Sequence, residues 1–163
     1  MADKLSIEGT GGLFQIAEPT ASRAPKRRAG FGIGIDLGTT HSLVALASSG
    51  AEPHELCDAE GRALLPSVVS FADSEVVVGA DAMAQQLQHP GQVVSSVKRL
   101  MGRGLADIDF PHPYTLVESE EGSVVVRLAG DATRKVTPVE SSAEILRGPK
   151  NRAEAASGGP ADG

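Results

Sequence analysis

The chain has 163 residues, 40% of them hydrophobic and only 3% aromatic, with 19 glycines and 10 prolines; that is enough for one domain with a core, or for part of a larger one. A net charge of −6 argues against nucleic-acid binding, which needs clustered Lys and Arg to neutralise phosphates, and no apolar run approaches the ~18 residues of a membrane span. The single cysteine, Cys57, excludes an internal disulfide and fits a reducing compartment. Since polar and glycine residues follow Met1-Ala2-Asp3-Lys4 where a secretory leader would be apolar, the sequence predicts a cytoplasmic protein with no nucleic-acid or membrane partner.

Residues 1–29 read as a flexible N-terminal extension, punctuated by Gly9, Gly11, Gly12, Pro19 and Pro25. It ends in Arg23-Ala24-Pro25-Lys26-Arg27-Arg28, a basic cluster compatible with nuclear import or a nucleic-acid patch, though a solvated linker is the favoured reading. From Phe31 the pattern changes. Phe31 to Leu37 and Ser42 to Ala47 are β-rich runs joined by the polar turn Gly38-Thr39-Thr40-His41, which predicts a hairpin. Leu64 to Phe71 predicts a further strand with Pro66 near its start, and Val76-Val77-Val78 a short partner strand. Met83, Ala84 and Leu87 lie at helical spacing within 81–88, ahead of His89-Pro90-Gly91. The stripe Val94, Val97, Leu100 and Met101 predicts a second short helix over 93–101. After a Gly- and Pro-rich loop over 102–113, Tyr114 to Val117, Val124 to Leu128 and Lys135-Val136 predict an antiparallel meander, with turns near Gly122 and Gly130. Thr137-Pro138-Val139-Glu140 is a capping box with proline at the first helical position. The helix it opens is expected to break or kink at Gly148-Pro149, since a proline inside a helix costs about 3 kcal/mol.

The turn after the first strand carries the chemistry. Gly38 lets backbone N–H groups approach phosphate oxygens, Thr39 and Thr40 add hydroxyls, and Asp36 at the strand end suits water held around a magnesium ion better than direct phosphate contact. No G-x-x-x-x-G-K-S/T occurs anywhere in the chain. Phe31-Gly32-Ile33-Gly34 gives only G-x-G, inside a strand and with no helix after it. Taken alone, this turn also fits a chance hairpin.

Its neighbours narrow the choice. Ile33-Gly34-Ile35-Asp36-Leu37-Gly38-Thr39-Thr40-His41-Ser42 resembles the first phosphate motif of the heat-shock-70 chaperones. Leu64-Leu65-Pro66-Ser67-Val68-Val69-Ser70-Phe71 and Ser96-Val97-Lys98-Arg99-Leu100-Met101-Gly102-Arg103 resemble two further segments of that family, in the same order and at the same spacing. Gly12-Leu13-Phe14-Gln15-Ile16-Ala17-Glu18-Pro19, with Ser95-Ser96-Val97-Lys98 and Leu105-Ala106-Asp107-Ile108, is similar to the branch that serves iron–sulfur cluster assembly.

The resemblance implies an α/β fold: a partial actin-like ATPase (ribonuclease-H-like) lobe over 30–147 with an inserted small α+β subdomain, and a disordered or aberrant tail over 148–163. It implies ATP and Mg as cofactors, and a J-domain co-chaperone and an iron–sulfur scaffold protein as partners. Asp36 falls at the family's aspartate near the magnesium and the attacking water, with Mg held through water. Gly38, Thr39, Thr40 and His41 fall in the nucleotide-contacting loop, and Lys98 at the lysine beside the γ-phosphate, where an ammonium stabilises departing charge. His41 departs from the family's usual asparagine, which puts nucleotide contact there in doubt; a histidine is bulkier and can titrate near neutral pH. His54, His89 and His112 are scattered and make no metal set with one cysteine.

In the family the second phosphate loop, the adenosine pocket and the catalytic glutamate lie beyond the segment present here, which leaves Phe31 to Leu37 with an uncovered face and edge. The expectation is therefore an N-terminal portion of an ATP-dependent chaperone that by itself binds ATP weakly and hydrolyses none. A frameshifted product or a short paralogue would account for the tail. The alternatives are a non-enzymatic remnant and a sugar- or acetate-kinase-like member of the same superfamily.

Overall fold

A computed structural model describes residues 31–160 apart from 73, 131 and 132. The N-terminal extension with its basic cluster, the Gly12 to Pro19 segment and the last three residues lie outside the described residues.

Three small sheets and two α-helices make up the described fold. β1 (Phe31–Leu37) and β2 (His41–Ser48) form the predicted hairpin, in register from Phe31↔Ser48 to Leu37↔Ser42. β3 (His54–Glu55) and β4 (Leu65–Pro66) both pair antiparallel with β2. Among the described residues β1 pairs with β2 alone, so its other edge is open, with Phe31 and Ile35 more than 40% exposed.

The Leu64 to Phe71 run does not form one strand. It switches sheets at Ser67: β4 joins β2, and β5 (Val68–Ser70) pairs with β6 (Val77–Val78) and β7 (Val93–Ser95). The switch has a chemical cause at each side. Pro66 has no N–H to extend a ladder, and the Ser67 N–H is taken by the Thr40 carbonyl at 2.8 Å.

The helix expected over 93–101 is corrected to strand β7 followed by a one-turn 3-10 helix at Val97–Arg99. Val93 packs with Val68 and Ala82, whereas Val94 packs with Val69, Val97 and Leu100. Successive residues buried on opposite sides satisfy a strand and not a helix. Ser96, between the two elements, is the only described non-glycine residue with positive φ, at 53°. The preceding helix, α1 (Ala80–Gln85), is shorter than predicted and buries Ala82, leaving Met83 56% and Leu87 93% exposed.

The predicted meander is present as β8 (Thr115–Glu118), β9 (Val124–Arg127) and β10 (Lys135–Val136). The capping box is also present: Glu140 N–H donates to Thr137 Oγ1 at 3.0 Å and Thr137 N–H to Glu140 Oε2 at 2.7 Å.

The expected break at Gly148-Pro149 is overturned, and of the tail expected to be disordered over 148–163, residues up to Ser157 are helical. α2 (Pro138–Ser157) runs 20 residues through Pro149 and stops at Gly158, whose φ of 73° is a glycine C-cap. Packing outweighs the proline. Ile145 is buried in a cluster with Val69, Val94, Val124 and Val126, and Ala153 in a second cluster with Val44, Leu46 and Leu56. Full burial of an isoleucine contributes about 1.5–3 kcal/mol and of a methyl about 0.8 kcal/mol, so anchors on both sides of Pro149 hold the axis straight enough to continue. Arg152 adds to this, donating from one guanidinium nitrogen to the carbonyls of Arg62 and Ala63 at 3.2 and 3.1 Å.

Candidate functional site

The site begins with the alternation of β1. Ile33 packs inward against the Val44–Leu46 cluster beneath α2. Gly32, Gly34 and Asp36 therefore share the other face, by the two-residue period of a strand. No side chain precedes Asp36 on that face of β1, and the carboxylate is exposed.

The turn that follows is closed so tightly that a Cβ on Gly38 would lie 2.1 Å from the His41 carbonyl oxygen. Its carbonyls are held from outside the hairpin. Lys98 Nζ donates to Leu37 O at 2.7 Å, Ser67 Oγ to Gly38 O at 3.0 Å and Ser67 N–H to Thr40 O at 2.8 Å. Among the described residues, no protein acceptor takes the N–H groups or the hydroxyls of Thr39 and Thr40. The turn is thus polarised, with the Leu37, Gly38 and Thr40 carbonyls engaged and the Thr39 and Thr40 donors unengaged. Unengaged backbone N–H groups and hydroxyls are the groups with which a loop can meet an anion.

Five of the six residues singled out in the sequence, Asp36, Gly38, Thr39, Thr40 and His41, lie on this hairpin, and Lys98 is brought to it from 61 residues away. His41, exposed, opens β2 opposite Pro66 and faces an open cleft of about 590 Å³ shared with Arg62, Leu65 and Arg152. Sequence reasoning missed Ser67 and its partner Ser42. The available signal was a serine inside an otherwise apolar strand-forming run, which needs a hydrogen-bond partner once buried.

The rim of that cleft is organised by Asp58. Its carboxylate accepts from the N–H groups of Glu60 and Arg62 and from Arg62 Nε, and Arg152 approaches it at 3.5 Å. The backbone N–H of Arg62 and then its guanidinium hold the Asp58 carboxyl below its ordinary value of 3.8, against the opposing effect of desolvation. A depressed folded-state value means that the stabilisation is fully present above the unfolded carboxylate range and is lost as pH falls through the folded value. Thermal melts between pH 5 and 3 should therefore show a shallower acid slope in Asp58→Asn than in the parent. Equal slopes would remove Asp58 from the acid response.

Among the described residues, no helix is long and apolar enough to cross a membrane, and no three His, Cys, Asp or Glu side chains are grouped to hold a metal ion directly.

Comparison with known proteins places this loop in a family. The family model described as Hsp70 protein matches residues 32–162. The chain is 48% identical over 154 residues to chaperone protein HscA of Cronobacter sakazakii, covering 93% of this chain and 24% of that protein. It is 48% identical over 151 residues to a chaperone protein HscA homolog of Acinetobacter baumannii, and 47% over 154 residues to HscA of Serratia proteamaculans, each again covering 93% of this chain and 24% of the relative. It thus spans about a quarter of the length of these relatives. With the match running through the β1–β2 hairpin, the Lys98 turn and α2, the chain belongs to the Hsp70 family, whose fold is that of the actin-like ATPases.

Proposed function

We propose that the β1–β2 turn is one wall of the ATP-phosphate site of an Hsp70-type chaperone, of the HscA kind that assists iron–sulfur cluster assembly. The observation that carries this reading is the polarised turn: the Leu37, Gly38 and Thr40 carbonyls are engaged, while Thr39 and Thr40 keep unengaged donors. Gly38, Thr39 and Thr40 then receive phosphate oxygens, with His41 at the edge of the loop. Lys98, tethered to the loop base through Leu37 O, supplies the ammonium that offsets charge developing on the γ-phosphate.

The exposed Asp36 carboxylate suits the waters of a hydrated Mg ion, which prefers to keep its own water shell. When bound, Mg would supply charge neutralisation to the phosphates. In this proposal residues 30–147 form the N-terminal part of the nucleotide-binding domain, a partial lobe with an inserted small α+β subdomain. The J-domain co-chaperone and iron–sulfur scaffold are partners of the whole chaperone, in the cytoplasm.

One wall gives weak binding. A triphosphate gripped from a single side loses the opposing donors and the adenosine contacts, so this chain alone should bind Mg-ATP in the millimolar range and show no hydrolysis. Titration followed by amide chemical shifts should move residues 36–41 and the Lys98 turn first. Micromolar affinity by calorimetry would overturn the one-wall reading, and an unmoved loop at saturating Mg-ATP would overturn the phosphate assignment.

A further inference from the structure

Behind the β1–β2 turn lies a pair of buried hydroxyls, Ser42 and Ser67, to which the sequence motifs assign no role. Ser42 is 0% and Ser67 1% exposed, and their Oγ atoms are 2.9 Å apart. A serine hydroxyl has one proton to donate. That of Ser67 goes to Gly38 O at 3.0 Å, so the contact between the two serines is a donation from Ser42 to Ser67. The backbone N–H of Ser67 meanwhile goes to Thr40 O. One residue, 29 positions away from Gly38 in sequence, therefore holds two carbonyls of the turn.

We propose that Ser67, supported by Ser42, is a positioning residue of the phosphate loop, fixing the direction in which the Thr39 N–H points. The reason is peptide planarity. In a trans peptide the C=O of one residue and the N–H of the next point in opposite directions. Holding Gly38 O toward Ser67 thus aims the Thr39 N–H away from Ser67. A plane adjoining glycine rotates more readily than others, because glycine's backbone is permissive on both sides of φ. Rotation of the Gly38–Thr39 plane would turn a carbonyl dipole toward the ligand and remove a donor at once. Ser67 Oγ opposes that rotation. Ser42, by donating to Ser67, leaves the Ser67 proton no competing acceptor on the Ser42 side.

This inference rests on the phosphate reading above, and its test separates the two. Removing Ser67 Oγ alone would strand the buried Ser42 hydroxyl, so the informative variant is the double Ser42→Ala/Ser67→Ala, which removes both partners. Measured on the full chain by 15N relaxation, the order parameters of Thr39 and Thr40 should fall from the rigid range near ~0.85 to below ~0.6, while those of Val69 and Val126 hold. Ser42→Ala alone, which keeps the bond to Gly38 O, should leave the loop ordered. If the ordered fraction drops to about a tenth, apparent affinity for Mg-ATP falls roughly tenfold, with the melting temperature of the double variant close to the parent's. An ordered loop in the double variant, or a loop loosened as much by Ser42→Ala alone, would overturn the role of Ser67. An unmoved loop in the parent on Mg-ATP titration instead rejects the phosphate reading, and the relaxation data still decide whether Ser67 orders the turn.

Discussion

Gly38→Ala is expected to abolish the response of the loop to Mg-ATP and to lower stability by about 1–3 kcal/mol, the range for forcing extra atoms into a closely packed position. The added Cβ would lie 2.1 Å from the His41 carbonyl oxygen and 3.2 Å from its carbon. Both are backbone atoms, so no rotamer change relieves the contact and the turn itself has to open. Opening it separates Thr39 and Thr40 from the carbonyl ties to Ser67 and Lys98. Gly34→Ala is the matched control on the same strand: nothing lies within 4 Å of its Cβ, and stability should change by no more than a few tenths of a kcal/mol. Thermal melts and the amide titration read both variants. An alanine at 38 that melts with the Gly34→Ala protein and still responds to Mg-ATP would refute the close turn.

Pro149→Ala should act in the opposite direction. Proline in a helix interior is about 3 kcal/mol less favourable than alanine, and Pro149 is among the most completely buried residues of the described chain. Loss of two ring carbons from that site costs about 1.5 kcal/mol at ~0.8 kcal/mol per methylene. The backbone effect wins, and the net is a stabilisation of about 1.5 kcal/mol, or roughly 4–8 °C in melting temperature for a domain of this size. Gly148→Ala should gain less than its helix propensity alone implies, because its Cβ would meet Leu65 Cδ2 at 2.9 Å and Leu65 has to shift. A Pro149→Ala protein that melts lower than the parent would mean that the ring's packing outweighs the strain it introduces.

The features that were legible in the sequence are those fixed by neighbours along the chain. The β1–β2 hairpin, the β8–β9–β10 meander and the Thr137–Glu140 capping box each depend on a few adjacent residues, and each is present. The features that were not legible are decided at a distance. Val93 to Ser95 carries a helical stripe when read locally, and becomes a strand because β5 is there to pair with it and because cores lie on both sides. The continuity of α2 through Gly148-Pro149 was likewise invisible, since the anchors that hold Ile145 and Ala153 come from β-strands far back in the sequence.

The candidate site divides the same way. Asp36, Gly38, Thr39, Thr40 and Lys98 are singled out by family resemblance, and the structure brings Lys98 to the hairpin through Leu37 O. Ser67 was not readable as a loop tie. Its hydroxyl and its N–H serve a turn 29 residues earlier, and neither composition nor spacing records that.

The two anchors of α2 have a consequence for how the molecule comes apart. Ile145 belongs to the cluster formed by the second and third sheets, and Ala153 to the cluster beneath the β1–β2 hairpin. While α2 is formed, each cluster holds one part of the same helix, so loosening of one removes support from the other. The two clusters are thereby joined through one helix, and the β1–β2 hairpin, besides its own buried contacts at Ser42, Val44 and Leu46, gains support from the core around Ile145.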